Sequence, residues 1–307
     1  MGDTHAHLQL ALCMLARWQR EIGTNFDAVF LCGDVGTFTD ASQLDNATRR
    51  HAKSNPCELE FLQQWSTAPQ AHWLDAIFAP TTSGGLGLAC PVVMVHGNHE
   101  GFEHLERLAP KKRPADDVPL ADLPAVDTNG HIRLLPTGWV ARTRGGRRVA
   151  GVGGIQPGQR TARHHPMAYI QESAVESVLD AGPVDVLITH QGPTSVQFDA
   201  GSELLEPLAD AGVARLWFHG HATPTRHITS VGPGGRCQVV PLGDLAFSGR
   251  GSQANDPGLE GWSYVRLGEP ELHVVREAPP FWREYRRGNW SQTSDGQLIC
   301  PDLVDFV

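Results

Sequence analysis

The chain has 307 residues, 40% of them hydrophobic and 19% charged, enough apolar material for a sizeable core in one large domain or two small ones. A formal net charge of −9 argues against a general nucleic-acid binder, because non-specific binding needs a positive surface; a local basic groove stays compatible with that total. The longest apolar run near the start, Leu8 to Leu15, is short and broken by Gln9, so it reads as neither a signal peptide nor a membrane span, and a soluble, cytoplasmic protein is expected.

Residues 6–22 place Leu8, Leu12, Leu15 and Trp18 on one helical face, with Gly23 at the C-cap. Residues 27–36 hold a short apolar strand that ends on Gly33-Asp34. A helix follows over 57–66 and a loop over 81–87. Residues 92–95 form a strand that leads through Gly97 into Asn98, His99 and Glu100; a short helix covers 101–109. The proline- and aspartate-rich stretch 110–128 is an irregular connection. Three short strands come next, at 131–135, 138–143 and 147–155, the last two joined by a turn at Arg144-Gly145-Gly146. Then come a helix over 167–182, a strand from 183 to His190, a helix over 202–212, and a strand over 214–221 that ends on His219-Gly220-His221. Residues 236–244, 261–268 and 270–277 close the chain as β-rich structure. The tail, 281–307, opens rich in arginine and aromatics and then loses any period; its tryptophans are expected to pack on the body of the protein rather than to stack on RNA.

Four polar clusters stand at strand C-terminal ends: Asp34, Asn98-His99, His190 and His221. In layered α/β folds that edge is where sites are built. A fifth cluster, Asp3 to His7, precedes the first helix. The six cysteines lie too far apart for a zinc ribbon or a redox pair and read as buried thiols. Histidine is abundant, at 15 residues, and several stand beside glycine or aspartate rather than on apolar faces. Aspartate, asparagine and histidine without cysteine form an oxygen-and-nitrogen donor set. Such a set suits Mn, Fe, Co, Ni or Zn. The candidates outnumber the needs of one ion, and a carboxylate can bridge two, an arrangement that clamps a phosphoryl group and activates water.

The stretches GDTHAH (2–7), CGDVG (32–36), HGNHE (96–100), ITHQGP (188–193) and FHGHAT (218–223) occur in the order and approximate spacing of the calcineurin-like metallophosphoesterase motifs D-x-H, GD, GNH[ED], H and GHxH. Each alone is weak; five in order, each at a predicted strand end, are specific. Over roughly residues 25–247 the chain also resembles the catalytic domain of RNA lariat debranching enzymes, through RRVAGVGGI, DVLITHQGP and VVPLGDLAF in addition to the motifs. The resemblance implies a four-layer α/β fold, with two mixed β-sheets in a sandwich flanked by helices. It implies a catalytic domain over 1–250, with strands and a tail over 251–307 packed on it. It further implies hydrolysis of a phosphomonoester or phosphodiester by a hydroxide bridging two divalent transition metal ions, manganese favoured.

Carried over by position, Asp3 and His5 hold the first ion, Asp34 bridges, and Asn98, His190 and His221 hold the second. His99 is the general acid or the stabiliser of developing charge, and Glu100 orients the loop or caps the next helix. His96 is read as a substrate contact or a strand-edge residue. His7 is read as a substrate contact or an exposed helix residue, and the pair His164-His165 as solvated or facing the cleft. The implied partner is a phosphorylated small molecule, a nucleotide or RNA, with no membrane and no obligate protein partner.

The sequence departs from the family twice. Thr223 stands where the last histidine of GHxH would be, as in the serine/threonine protein phosphatases; water, or less simply His227, is expected to complete the first site. No apolar strand precedes Gly2, which leaves Asp3 and His5 expected on a frayed end. These departures keep open two alternatives: a non-catalytic phosphate-binding or scaffold protein, and a serine/threonine-type protein phosphatase.

Overall fold

The computed structural model describes residues 1–66, 73–158, 165–196, 200–221, 227–247, 256–257, 262–267, 272–275, 278–294 and 296–306. Helix α1 (Leu8–Ile22) forms over the expected amphipathic span, and Gly23 ends it with a bond from its N–H to Arg20 O. Strands β1 (Val29–Leu31), β2 (Val92–Met94), β3 (Val118–Pro119) and β4 (Ile132–Leu134) follow, with helices α2 (Asn46–His51), α3 (Glu60–Ser66), α4 (Trp73–Phe78) and α5 (Phe102–Leu108) between them. Then come β5 (Val140–Arg142), β6 (Arg148–Val152), α6 (Glu172–Ala181), β7 (Val184–Thr189), α7 (Glu206–Ala211), β8 (Ala214–His219), β9 (Thr229–Val231) and β10 (Cys237–Pro241).

Three strands make a parallel sheet in the order β1-β2-β4, and seven make a second sheet in the order β3-β5-β6-β7-β8-β10-β9. The second sheet is antiparallel only at β5–β6 and β9–β10. Alternation along the strands sets the layers. On the first sheet Val29, Leu31, Val92 and Met94 join the core under α1, while Cys32, Val93 and Val95 join the core shared with the second sheet. On the second sheet Val186, Ile188, Leu216 and Phe218 face that shared core, while Leu187, Trp217 and Val239 pack under α6 and α7. Helix, sheet, sheet, helix is the four-layer arrangement expected. Burial on both faces is why these strands read as continuous apolar runs.

Three helices begin later than their sequence patterns. Residues 166–168 form a 3-10 turn, and Tyr169 bridges to Ile155, with Ile170 N–H donating to Ile155 O at 2.9 Å, so α6 starts only at Glu172. The patterns at 57–66 and 202–212 likewise open as 3-10 turns, over Pro56–Leu59 and Glu203–Leu205. The late segments 261–268 and 270–277 yield an antiparallel pair, β11 (Tyr264–Leu267) and β12 (Leu272–Val275). In the tail, β13 (Ser291–Gln292) pairs with β14 (Leu298–Ile299). Phe281, Tyr285, Trp290 and Leu303 of the tail enter the core under α1, and Arg17 of α1 grips both carboxylate oxygens of Glu284 at 2.7 and 3.0 Å. All six cysteines are buried free thiols. Among the described residues, no helix is long and apolar enough to cross a membrane.

The segment before α1 differs from expectation. Met1 to Asp3 do the pairing of a strand in miniature: Cys32 N–H donates to Met1 O at 2.9 Å, and Leu245 N–H donates to Asp3 O at 2.7 Å. Met1 and Asp3 are 8% and 4% exposed, and Asp3 bridges in parallel to Asp244 just beyond β10. Main-chain bonds on both sides hold the segment, so Asp3 is not on a frayed end.

Candidate metal centre

The loops after β1, β2, β7 and β8 meet the segment after Met1 at one edge of the two sheets. His190 is the pivot. Its Nδ1 donates to Cys32 O at 2.8 Å, which directs Nε2 to Asn98 Oδ1 at 3.0 Å and Asp34 Oδ1 at 3.4 Å. A ligating histidine held by a carbonyl through its other nitrogen has this arrangement. Asp3, Asp34, His190 and His221 each bring a donor atom within 4.8 Å of the others, and Asp3, His5 and Asp244 do the same in an adjoining group. Asp3 belongs to both groups. The loops approach too closely for side chains at two glycines. A Cβ at Gly97 would lie 2.1 Å from Asp34 Oδ1, and one at Gly220 would lie 2.0 Å from Asp3 Oδ1. That requirement explains why the strand carrying the Asn98-His99 pair runs into a glycine.

Backbone strain falls on the same loops. Among the described residues, the non-glycine positions with positive φ are His5 (42°), Ala6 (62°), Asp34 (49°) and His221 (47°). Such conformations cost of the order of 1–3 kcal/mol each and persist where the surroundings over-determine them.

These residues fit cations. Asp3 and Asp34 are both buried, at 4% and 2% exposure. Burial, then the charge of Asp34, pushes the Asp3 carboxyl well above its usual range. Burial works against ionised Asp34 as well, but His190, His99 and His5 outweigh it and hold its carboxyl low. Burial drives His190 down and His221 down to about 4, so both imidazoles are neutral near pH 7 and keep a lone pair for a metal. Two buried carboxylates, neutral imidazoles and the amide oxygen of Asn98 make a cavity for positive charge.

The sequence model of the calcineurin-like phosphoesterase family matches residues 1–222. The chain belongs to the calcineurin-like phosphoesterases. No curated protein sequence matches it at a significant level.

In this calcineurin-like phosphoesterase His99 stands beside the donor groups. Its N–H and that of Asn98 both donate to Asp34 Oδ1 at 2.8 Å, which fixes the loop on the carboxylate. Its ring lies 5.8 Å from that of His5. Its Nδ1 meets Asp45 Oδ2 at 2.7 Å. Burial alone would lower the His99 pKa, but the Asp45 bond and the charges of Asp34, Asp45 and Glu100 raise it to about 9. Glu100 does not cap α5, whose first turn is preceded by Gly101. It ties the two motif loops together, accepting from Val35 N–H at 2.9 Å and from Thr37 N–H and Oγ1 at 3.0 and 2.8 Å.

The remaining candidates lie apart from the donor groups. His7 is buried rather than exposed; its Nδ1 lies 2.9 Å from the carbonyls of Thr4 and His5, and its Nε2 is 2.7 Å from Asn55. It clamps the His5 loop to the segment before α3. His96 is 2% exposed, its ring packed over Gly153. His165 is stacked on Phe102, ring centroids 5.3 Å apart. Thr223 and His164 fall outside the described residues; His227 is exposed and in neither donor group.

Sequence reasoning missed Asp45, Glu58 and Asp244. Glu58 is 8% exposed; burial pushes its carboxyl up to about 7, and it shares its electrostatic surroundings with His5, His99, Asp244 and Asp45. Asp45 and Glu58 lie in the insertion between β1 and β2, where no local pattern marks them. Asp244 had a signal: Gly243-Asp244 follows an apolar strand, as Gly33-Asp34 does. Beside the centre is a cavity of about 250 Å³ lined by Phe38, Gln43, Asp45, Asn98, Glu100, Phe102, Glu103 and His165.

Proposed function

We propose that this calcineurin-like phosphoesterase hydrolyses a small phosphorylated molecule at a centre of two divalent ions. Asp3, His5, Asp34, Asn98, His190 and His221 would hold the ions and His99 would act as the proton donor. The observation that carries the reading is the convergence of Asp3, Asp34, His190 and His221, with His99 locked next to them by Asp34 and Asp45. Bound divalent ions supply charge to clamp the phosphoryl oxygens and make water a nucleophile near neutral pH. The chain's own residues do the rest. Nδ1 of His99 is engaged by Asp45, which leaves Nε2 to give a proton to the departing oxygen. Asp45 holds the ring in that orientation and favours its protonated form. Asn98 lines the 250 Å³ cavity and also reaches His190, so it joins the ion centre to the space for the ester group.

The same cavity favours a small substrate over RNA or a phosphoprotein. Among the described residues its lining includes the acidic Asp45, Glu100 and Glu103 and no lysine or arginine, a charge that disfavours a polyanion. The Phe102–His165 stack offers flat apolar surface to an aromatic or aliphatic ester group. Metal analysis of protein purified without chelator, followed by hydrolysis of aryl phosphate monoesters and diesters, tests the proposal. Two ions per chain and turnover of either ester support it. Bound ions with no turnover of any ester would assign a binding protein instead, and turnover restricted to a phosphopeptide or RNA would reject the small substrate.

A further inference from the structure

We infer that Asp244 is a ligand of the first metal ion and takes the place of the histidine that the family motif puts at position 223. The inference rests on the two-ion reading above and adds a ligand to it.

Asp244 brings a carboxylate oxygen into a group with Asp3 and His5 whose donor atoms all lie within 4.8 Å of one another. The fold explains how it gets there. Strand β10 runs parallel to β8, with Pro241 level with His219, so the residues just past β10 emerge at the edge where His221 emerges from β8. Leu242 N–H bonds back to His219 O at 2.8 Å, and Leu245 N–H to Asp3 O at 2.7 Å. Asp244 is therefore held from both neighbouring sides and bridges in parallel with Asp3 itself. The approach is close: a Cβ on Gly2 would lie 2.0 Å from Gly243 O. The missing side chain at position 2 lets the two acid-bearing segments touch.

Chemistry and position then agree. Threonine at 223 offers a neutral hydroxyl, a much poorer donor to a divalent transition metal than imidazole or carboxylate. Asp244 is on the solvent side, exposed where Asp3 is buried, so its carboxylate reaches the first ion from the open face of the centre. Its cost of desolvation before an ion binds is small, because water still reaches it. A carboxylate in place of an imidazole also adds one negative charge to the site and makes it harder, which shifts preference from zinc toward manganese or magnesium.

The test measures ion binding, not turnover. Apo protein is titrated with Mn²⁺, with binding followed by the loss of the free-ion magnetic resonance signal and by calorimetry, for the wild-type chain, Asp244→Asn and His5→Ala. Asp244 is exposed and outside every apolar core cluster, so Asp244→Asn should fold as the wild type does; an unchanged circular dichroism spectrum and melting temperature verify it. The expected result is two Mn²⁺ per wild-type chain. Asp244→Asn should weaken the looser phase at least tenfold and leave the tighter one unchanged, and His5→Ala should weaken the same phase. Asp244→His should restore the looser phase and favour Zn²⁺ over Mn²⁺ relative to the wild type. A looser phase that moves in His5→Ala and stays within twofold of wild type in Asp244→Asn overturns the assignment while keeping the two-ion centre. A single ion per wild-type chain overturns the two-ion reading and the assignment with it.

Discussion

The two halves of the proposed metal centre are held by different kinds of structure. His190 and His221 follow β7 and β8, six-residue strands in the interior of a seven-stranded sheet. Asp3 ends, and His5 follows, a segment of three residues tied by a bond from Cys32 on one side and from Leu245 on the other. The first half draws its geometry from a sheet buried on both faces. The second draws it from a few main-chain bonds, the His7 clamp and an exposed Asp244. A sheet interior moves only with global unfolding, whereas a segment held by a few bonds can open locally. Mild chelation should therefore remove the ion held by Asp3, His5 and Asp244 first, with turnover falling in parallel. Metal content measured along a chelator titration checks this; loss of both ions in one step would erase the contrast.

Asp3 is where the two halves join, so its loss should have the largest effect. Asp3→Asn is expected to leave no measurable turnover and less than one tightly bound ion per chain, because the carboxylate belongs to both donor groups. An Asp3→Asn protein that retained a full complement of ions would show that the halves are independent. Next comes His99, which touches the ligand loop without joining either group. His99→Ala should lower turnover by about 10²–10⁴-fold and leave metal content unchanged, the range for a lost acid or base. Loss of an ion in that variant would make His99 a ligand.

Asp45 supports His99 from the insertion, on the surface side. Its side chain is 31% exposed, so the pair is partly screened, and Asp45→Asn should cost about 3- to 10-fold in turnover. The sign of the pH effect follows from the His99 pKa. The acid must carry its proton, and the Asp45 carboxylate favours the protonated ring, so turnover should fall as pH rises past the His99 pKa. Asp45→Asn should move that fall to lower pH. An alkaline limb that does not move would assign it to another group.

The smallest effect lies under the weaker half. Glu60 accepts from Gln9 N–H at 2.9 Å at the start of α1, a helix whose own N-cap side chain makes no capping bond. Burial pushes the Glu60 carboxyl up to about 8, against the pull of the Gln9 and Leu8 N–H groups. A raised folded-state pKa means that the native protein binds a proton the unfolded chain releases above about pH 4.3. Stability from this group is thus full in acid and declines as pH rises toward 8. Glu60→Gln should flatten that decline and raise the melting temperature at pH 8 by about 2–4 °C, the size of a roughly 1 kcal/mol effect in a chain of this length. A melting temperature with the same pH slope in both proteins would show that Glu60 is ionised throughout.

Local pattern alone made much of this protein legible. Runs such as Val184–Thr189 and Ala214–His219 alternate between two apolar cores, so their strand nature and the polar residue at each end follow from composition within a few positions. Asp34, Asn98, His190 and His221 could be singled out as candidate donors because each lies within four residues of the end of such a strand. What only the tertiary structure decided depends on pairing between distant segments. The three residues Met1 to Asp3 are too few to carry a strand period, and they are ordered by Cys32 and Leu245, far along the chain. The late start of α6 comes from the Ile155–Tyr169 bridge, which overrides helical preference at 167–171. Asp45 reaches His99 across 54 positions, and Asp244 reaches Asp3 only because β10 lies beside β8. Periodicity reports which face of an element is buried; it carries no information about which element lies opposite. Side chains whose role is set by a neighbour from another part of the chain therefore became visible only once the sheets were assembled.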